Sequence, residues 1–268
     1  MYEMTVTFAE FDNRIASTRL RATIPKIELA KQGIAQGRDV LVYGKHFATM
    51  DQVKKYKRVI FDVCDNHFNS KTLSSYYRVH ADNADLLTVN SDEMARIVLH
   101  ETGRKAMVIP DPYESEEREP SIGEYPLWFG HEANLIDIEP WRHIRGLKVL
   151  TGDNWSRERQ LEMLGECSCV LIPTGKSMAK SANRLIEAVR NGRFVVAGEM
   201  PAHEEFKKFM WIGKNLDDGI QWLYSNPSEA LQRIRDCQAY IIDRYSPLTI
   251  SKLWLEAIGR VWHTPTAH

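Results

Sequence analysis

Apolar and polar positions follow two rhythms along this chain. Short apolar runs rich in β-branched residues recur between longer stretches with helical spacing. In the first half, Met4–Phe8, Asp39–Tyr43, Val59–Val63, Leu86–Val89 and Ala106–Ile109 predict strands. Helical spacing falls between them, near Ser17–Gln32, Met50–Tyr56, Leu73–Ala81 and Ser91–Glu101. Ser91 suits an N-cap, Asp92 and Glu93 suit the positive end of the helix dipole, and Gly103 suits the stop. The second half restarts the pattern. Leu127–Phe129, Lys148–Leu150, Cys169–Ile172, Phe194–Ala197 and Met210–Ile212 predict strands. Arg157–Gly165, Ala179–Asn191, His203–Lys208, Leu216–Tyr224, Pro227–Tyr245 and Pro247–Trp262 predict helices.

Residues 110–124, PDPYESEEREPSIGE, interrupt both rhythms. They hold three prolines and six acids with no apolar periodicity, as an interdomain linker does. Strand–helix–strand repetition with apolar strands implies parallel sheets covered by helices. The expected architecture is therefore α/β, with two Rossmann-like domains facing each other across a cleft, 1–122 and 123–246. Residues 247–268 form a C-terminal helix whose apolar members, Ile250, Leu253, Ile258 and Val261 among them, suit docking back on the first domain. Ligands of open α/β sheets sit beyond the carboxyl ends of the strands. The loops after these strands are where function is expected.

Charge and composition narrow the classes. The 268 residues carry 35 Lys plus Arg against 36 Asp plus Glu, a net charge of -1, which argues against a wholesale nucleic-acid or membrane-surface binder. No apolar run approaches the roughly 18 residues of a membrane span. The first residues, MYEMTVTFAEFDNR, carry acids where a signal peptide carries bases, so a cytoplasmic location is expected. Cys64, Cys167, Cys169 and Cys237 make no CxxC pair and read as buried, reduced thiols.

The segment Val170–Gly198 carries the densest chemistry. On a helix over 179–191, Lys180, Asn183, Arg184 and Glu187 share one face. An ammonium, an amide, a guanidinium and a carboxylate at a helix N-terminus suit a phosphorylated ligand, with Glu187 free to accept from a ribose diol. The alternative is a solvated face with Lys180, Arg184 and Glu187 paired along the surface. In the first half, Val59–Phe68 delivers Asp62, Asp65, Asn66 and His67 beyond a strand. These are candidates for a base or for orienting a reacting hydroxyl, or else an Asx-rich turn. Arg14, Arg19 and Arg21, after the first strand, are candidates for contact with an anionic acceptor or a phosphate. Trp155 is a candidate for a base pocket, and Lys54, Lys55, Lys57 and Arg58 form a basic run.

Pro173, then Lys180-Ser181-Ala182-Asn183-Arg184-Leu185-Ile186-Glu187-Ala188, then Asn191-Gly192 and Val195-Val196-Ala197 resemble the donor segment of GT-B glycosyltransferases of the "glycosyl transferases group 1" type. Val89-Asn90-Ser91 with Val108-Ile109-Pro110-Asp111-Pro112 resembles the close of that family's first domain. Leu127-Trp128-Phe129-Gly130 with Asn134 resembles the first strand and glycine loop of its second domain. The resemblance implies transfer of a sugar from a nucleotide-diphosphate sugar to a hydroxyl acceptor, with retention of configuration. It implies that Lys180 and Asn183 face the diphosphate and Glu187 the ribose, that Ser181, Arg184, Gly130 and Asn134 belong to the donor site with them, and that Asp62, Asp65 and His67 serve the acceptor side. It implies no metal and no resident cofactor, the nucleotide sugar being a co-substrate. Eight positions before Glu187, where many members carry a second glutamate, stands Ala179. Two other readings therefore stay open: a nucleotide-binding module that performs no transfer, and a transferase acting on a modified DNA base. The acceptor is left as a saccharide, a lipid-linked sugar or such a base.

Overall fold

The computed structural model describes residues 4–45 and 48–263. The chain divides into two units. Unit 1 comprises 1–112, 179–181 and 245–268, and unit 2 comprises 113–178 and 182–244.

Unit 1 is built on a five-stranded parallel sheet in the order β1-β2-β3-β4-β5: β1 Thr5–Phe8, β2 Ala35–Tyr43, β3 Arg58–Val63, β4 Leu86–Val89 and β5 Ala106–Val108. Val42 lies beside Ile60, and Ile60 beside Leu86. The crossovers carry α1 Ala16–Thr18, a π-helical turn Arg19–Thr23, α2 Ile24–Lys31, α3 Met50–Val53, α4 Ser74–Asn83 and α5 Asp92–Thr102. Strand side chains alternate between two faces. Val40, Val42 and Ile60 pack with Leu29 of α2 and with Ile250, Trp254 and Ile258 of the chain's final helix, Pro247–His263. Leu41, Tyr43, Phe61 and Val63 pack with Tyr77 and Ala81 of α4 and Met94 and Val98 of α5. Both faces are therefore covered, which is why β3 is buried at every position after Arg58. Ser91 caps α5 by accepting from Met94 N at 3.2 Å, and Gly103 ends it at φ +69°. The spacing predicts a single regular helix over 17–32, but the structure widens it at Arg19–Thr23. Leu20, Arg21 and Ala22 are all buried there, and three consecutive residues cannot share one face of a regular α-helix.

Unit 2 has its own five-stranded parallel sheet, in the order β10-β9-β8-β6-β7. The strands are β6 Tyr125–Phe129, β7 Lys148–Leu150, β8 Cys167–Ile172, β9 Phe194–Ala197 and β10 Trp211–Ile212. The helices are α6 Leu135–Ile138, α7 Arg157–Glu166, α8 Asn183–Arg190, α9 Leu216–Ser225 and α10 Pro227–Tyr245. From β6 the chain first adds β7 on one side, then β8 on the other. The order reverses there, so a topological switch point lies between β6 and β8.

The division falls at Pro112/Tyr113, not at 122/123, because the acidic stretch after Pro112 is not free. Glu187, Arg190 and Arg193 are buried in and just after α8. Buried charges require partners, and the stretch supplies them. Ser115 donates to Glu187, Glu117 pairs with Arg190, and Arg193 Nη1 donates to Ser121 O at 2.9 Å. Gly192 sits at φ +69°, and a β-carbon on it would stand 2.3 Å from Glu119 O. All four cysteines are free and buried. Among the described residues no helix is long and apolar enough to cross a membrane, and no cluster of three metal-ligating side chains occurs.

Candidate functional site

In unit 2 the switch point gathers loop residues after three strands. β6 ends at Phe129 and passes to Gly130. Arg184, in the first turn of α8, donates from Nη1 to Phe129 O at 3.3 Å, and its guanidinium lies 5.9 Å from the Trp128 ring centroid. A β-carbon on Gly130 would stand 3.4 Å from Arg184 Nη1 and 3.2 Å from the Trp128 ring. Gly130 N–H already donates to Leu150 O at 3.2 Å, so the glycine contributes room and not a donor. After β8, a β-carbon on Gly175 would stand 3.2 Å from Asp137 Oδ2. After β9, His203 Nδ1 is 2.9 Å from Gly198 O. Burial pulls the pKa of Arg184 down to about 10, against the opposing charge of Asp137. Among the described residues Arg184 makes no ion pair. Burial likewise lowers His203, and the charge of Arg184 adds to that.

The start of α8 has two further properties. Its N-cap, Ala182, offers no side-chain acceptor, and its first turn holds no acid. The N–H groups at such an end lack intrahelical partners and carry the positive end of the dipole. A desolvated guanidinium beside an uncapped helix N-terminus is a setting that favours an anion.

The shared helix face expected for Lys180, Asn183, Arg184 and Glu187 is not what forms. The helix begins at Asn183, four residues later than the spacing predicts. Residues 179–181 belong to unit 1, where Ala179 is buried in the core, its carbonyl accepts from Ser91 Oγ at 3.2 Å, and Ser181 Oγ donates to Asp111 Oδ2 at 2.5 Å. Those contacts outweigh the residues' helical preference. Asn183 is half-buried at the first helical position, and Asn134 is half-buried at the entry to α6. Glu187 is buried, and its carboxylate accepts from Ser115 and from Arg157 Nη2 at 2.5 Å. Neither Ser115 nor Arg157 stands out in the sequence. Trp155 spends its indole N–H on Gln160 Oε1 at 2.9 Å.

In unit 1 the acidic strand end resolves into two different environments. Asp62 lies within β3, not in the loop beyond it, and is 3% exposed. Its carboxylate accepts from Arg21 Nε at 2.9 Å, Arg21 Nη2 at 2.6 Å and Thr88 Oγ1 at 2.7 Å. Arg21 also donates to Ile109 O and stands 3.3 Å from Asp111. Burial works against the Arg21 charge, but Asp62 and then Asp111 outweigh it and raise its pKa. Asp62 and Arg21 thus form a buried ion pair, and Asp62 stands within the strand where the loop beyond it is expected. Burial pushes the Asp111 carboxyl up, against the pull of Arg21.

Asp65 and His67 do sit in the loop, both half-buried. Asp65 pairs with Lys45, a residue the sequence reading passed over although it follows β2 directly. Burial opposes the Lys45 charge, but Asp65 outweighs it and raises the pKa. The His67 ring lies 5.1 Å from that of Tyr77 edge-on, and burial lowers its pKa, against the pull of Asp65. A shallow recess opens at the carboxyl ends of β1 and β2, bounded by Phe11, Ser17, Arg21, Tyr43, Lys45 and Asp62. Arg14 is exposed and paired with Asp12 at 2.7 Å, and Arg19 Nη1 donates to Asn13 O at 2.7 Å. Neither lines this recess.

No protein-family model matches the sequence, and no curated protein matches it. Solved structures do. Anabaena HepE in complex with UDP and glucose superposes with a TM-score of 0.66 at 14% identity, covering 93% of this chain and 85% of that one. WaaG, a glycosyltransferase involved in lipopolysaccharide biosynthesis, gives 0.61 at 10% identity, covering 97% and 99%. TarM gives 0.59 at 14% identity, covering 82% of this chain and 54% of that one, so this chain spans about half its length. The chain has the two-domain fold of the GT-B glycosyltransferases.

Proposed function

We propose that this protein is a glycosyltransferase that moves a sugar from a nucleotide-diphosphate sugar to a hydroxyl acceptor. The observation that carries the reading is the unpaired, desolvated Arg184 at the β6/β8 switch point, beside the uncapped start of α8 and the room left by Gly130. That arrangement suits a diphosphate. In transfer, the charge developing on the diphosphate leaving group would meet the guanidinium and the helix N-terminus, both already in place. Glu187, one turn further along α8, takes the ribose in this reading.

In unit 1, Asp65 and His67 are the groups that would orient the acceptor hydroxyl. Held neutral by burial, His67 can accept its proton near neutral pH. Retention of configuration is part of the proposal and rests on family likeness. A saccharide acceptor is preferred over a DNA base. Lys57 pairs with Asp39 at 2.7 Å and Arg58 with Asp85 at 3.2 Å, so half of the basic run is already neutralised.

A second reading, nucleotide binding without transfer, has one observation in its favour. Ala179 is 1% exposed within the unit 1 core, so that position offers no carboxylate to a donor sugar. Donor hydrolysis and thermal-shift screening with a panel of nucleotide sugars separate the readings. Transfer or hydrolysis supports the enzyme, and stabilisation without turnover across a broad acceptor panel supports the binding module. No response to any nucleotide sugar, with Arg184→Ala equally silent, overturns both.

A further inference from the structure

The Glu187 carboxylate is held asymmetrically. Oε1 accepts from Arg157 Nη2 at 2.5 Å, from the Ser115 hydroxyl, and at 3.4 Å from Asn191 Nδ2. Oε2 accepts only the Glu114 main-chain N–H, at 3.4 Å, among the described residues. One oxygen is saturated and the other is nearly bare. Arg157 Nη2 also donates to Ser115 Oγ at 2.7 Å, which closes a triangle around Oε1.

Arg157 is itself fixed at the first position of α7, where Ser156 accepts from Arg159 N at 3.0 Å as the cap. Its other terminal nitrogen, Nη1, is buried and ion-paired with Glu114 Oε1 at 3.5 Å, without a hydrogen bond. Arg157 is thus pinned between two carboxylates, and the bare acceptor on Glu187 belongs to that clamp.

We propose that Arg157 is a positioning residue for ribose recognition. Nη2 ties down Oε1 of Glu187 and leaves Oε2 to accept from a hydroxyl, while Nη1 holds Arg157 against Glu114. A ribose hydroxyl supplies the complement to Oε2, since it has one proton to donate. This inference rests on the reading that Glu187 holds the ribose. It adds that the carboxylate discriminates only while Arg157 orients it.

The test measures binding of UDP, GDP, ADP and CDP to the full chain by calorimetry, then of the tightest binder's 2′-deoxy and 3′-deoxy counterparts. The wild-type protein is expected to prefer the ribonucleotide by about tenfold or more, the worth of a hydrogen bond to a charged group. In Arg157→Gln the ribonucleotide should weaken to the level of the deoxy ligands, whose own affinity stays within about twofold. Arg157→Lys should restore part of the preference, and Ser115→Ala should lose part of it. If Arg157→Gln does not fold, Ser115→Ala and Arg157→Lys carry the same comparison. Retention of the full preference in Arg157→Gln, or an equal loss for ribo and deoxy ligands, overturns the inference while leaving the Glu187 reading intact. A wild-type protein with no ribose preference, or with no affinity for any of the four, overturns both.

Discussion

Removal of the Asp62 carboxylate tests whether unit 1 is bolted together or equipped for chemistry at that point. In Asp62→Ala, Arg21 loses a two-pronged partner at 2.6 and 2.9 Å while staying 5% exposed. Taking one member from a buried pair leaves an uncompensated charge and costs about 3–5 kcal/mol. The Ile109 carbonyl and Asp111 at 3.3 Å still face the guanidinium, so the lower end, about 3 kcal/mol, is expected. For a domain of this size that lowers Tm by roughly 6–15 °C. Calorimetry and urea melts should show the loss with the urea slope unchanged. Arg21→Met combined with Asp62→Leu should recover most of it, because no buried charge is then stranded. Asp111 keeps its hydrogen bond from Ser181 Oγ at 2.5 Å in the double variant. A Tm for Asp62→Ala within about 2 °C of wild type would refute the bolt, as this is less than about 1 kcal/mol. Loss of transfer without loss of stability would return Asp62 to the reacting groups.

Gly192→Ala should cost about 1–3 kcal/mol from backbone strain at φ +69°, and more because its β-carbon meets Glu119 O at 2.3 Å. Gly103→Ala has the same φ with nothing within 4 Å, so its urea midpoint should move less; equal shifts would contradict the clash. His67, His80 and His203 are all lowered below 6.5, chiefly by burial, so the unfolded chain binds protons more readily than the folded one. The stability they contribute is complete above pH 6.5 and drains away as pH falls below it. NMR titration should place all three midpoints under 6.5 and that of exposed His143, paired with Asp217 at 2.9 Å, above it; a His67 midpoint above 6.5 would contradict the buried loop. Asp65→Asn should lower transfer by about 100-fold or more with nucleotide affinity unchanged, as loss of a hydroxyl-orienting group would. Full activity in that variant removes Asp65 from the acceptor side.

The strands were readable from their apolar, β-branched cores, and β4, β7 and β9 match their predicted bounds, while β2 begins four residues before its predicted start because its first five residues, AQGRD, are mostly polar. Ser91 and Gly103 were readable because capping chemistry is local. Long-range pairing was not. Asp62 looks like a loop acid until Arg21, 41 positions earlier, is seen to hold it. The start of α8 was misplaced because Ser181 and Ala179 are drawn to Asp111 and Ser91, 70 and 88 positions away. The acidic stretch after Pro112 looks like a solvated linker because its value lies in Glu187, Arg190 and Arg193, whose burial only the fold reveals. Arg184 stands out from the spacing and Gly130 from the family pattern, and the structure brings them together. Lys45 had a usable signal, as the first charge after a strand, and was overlooked. Arg157 had none beyond standing after a good N-cap.

The most direct test of the central claim is a crystal structure of the protein with a bound nucleotide sugar. The diphosphate should lie at the β6/β8 switch point, within hydrogen-bond distance of the Arg184 guanidinium and the first N–H groups of α8, with the ribose hydroxyls on Glu187. A diphosphate lodged away from Arg184, with that guanidinium still resting on the Phe129 carbonyl, would contradict it.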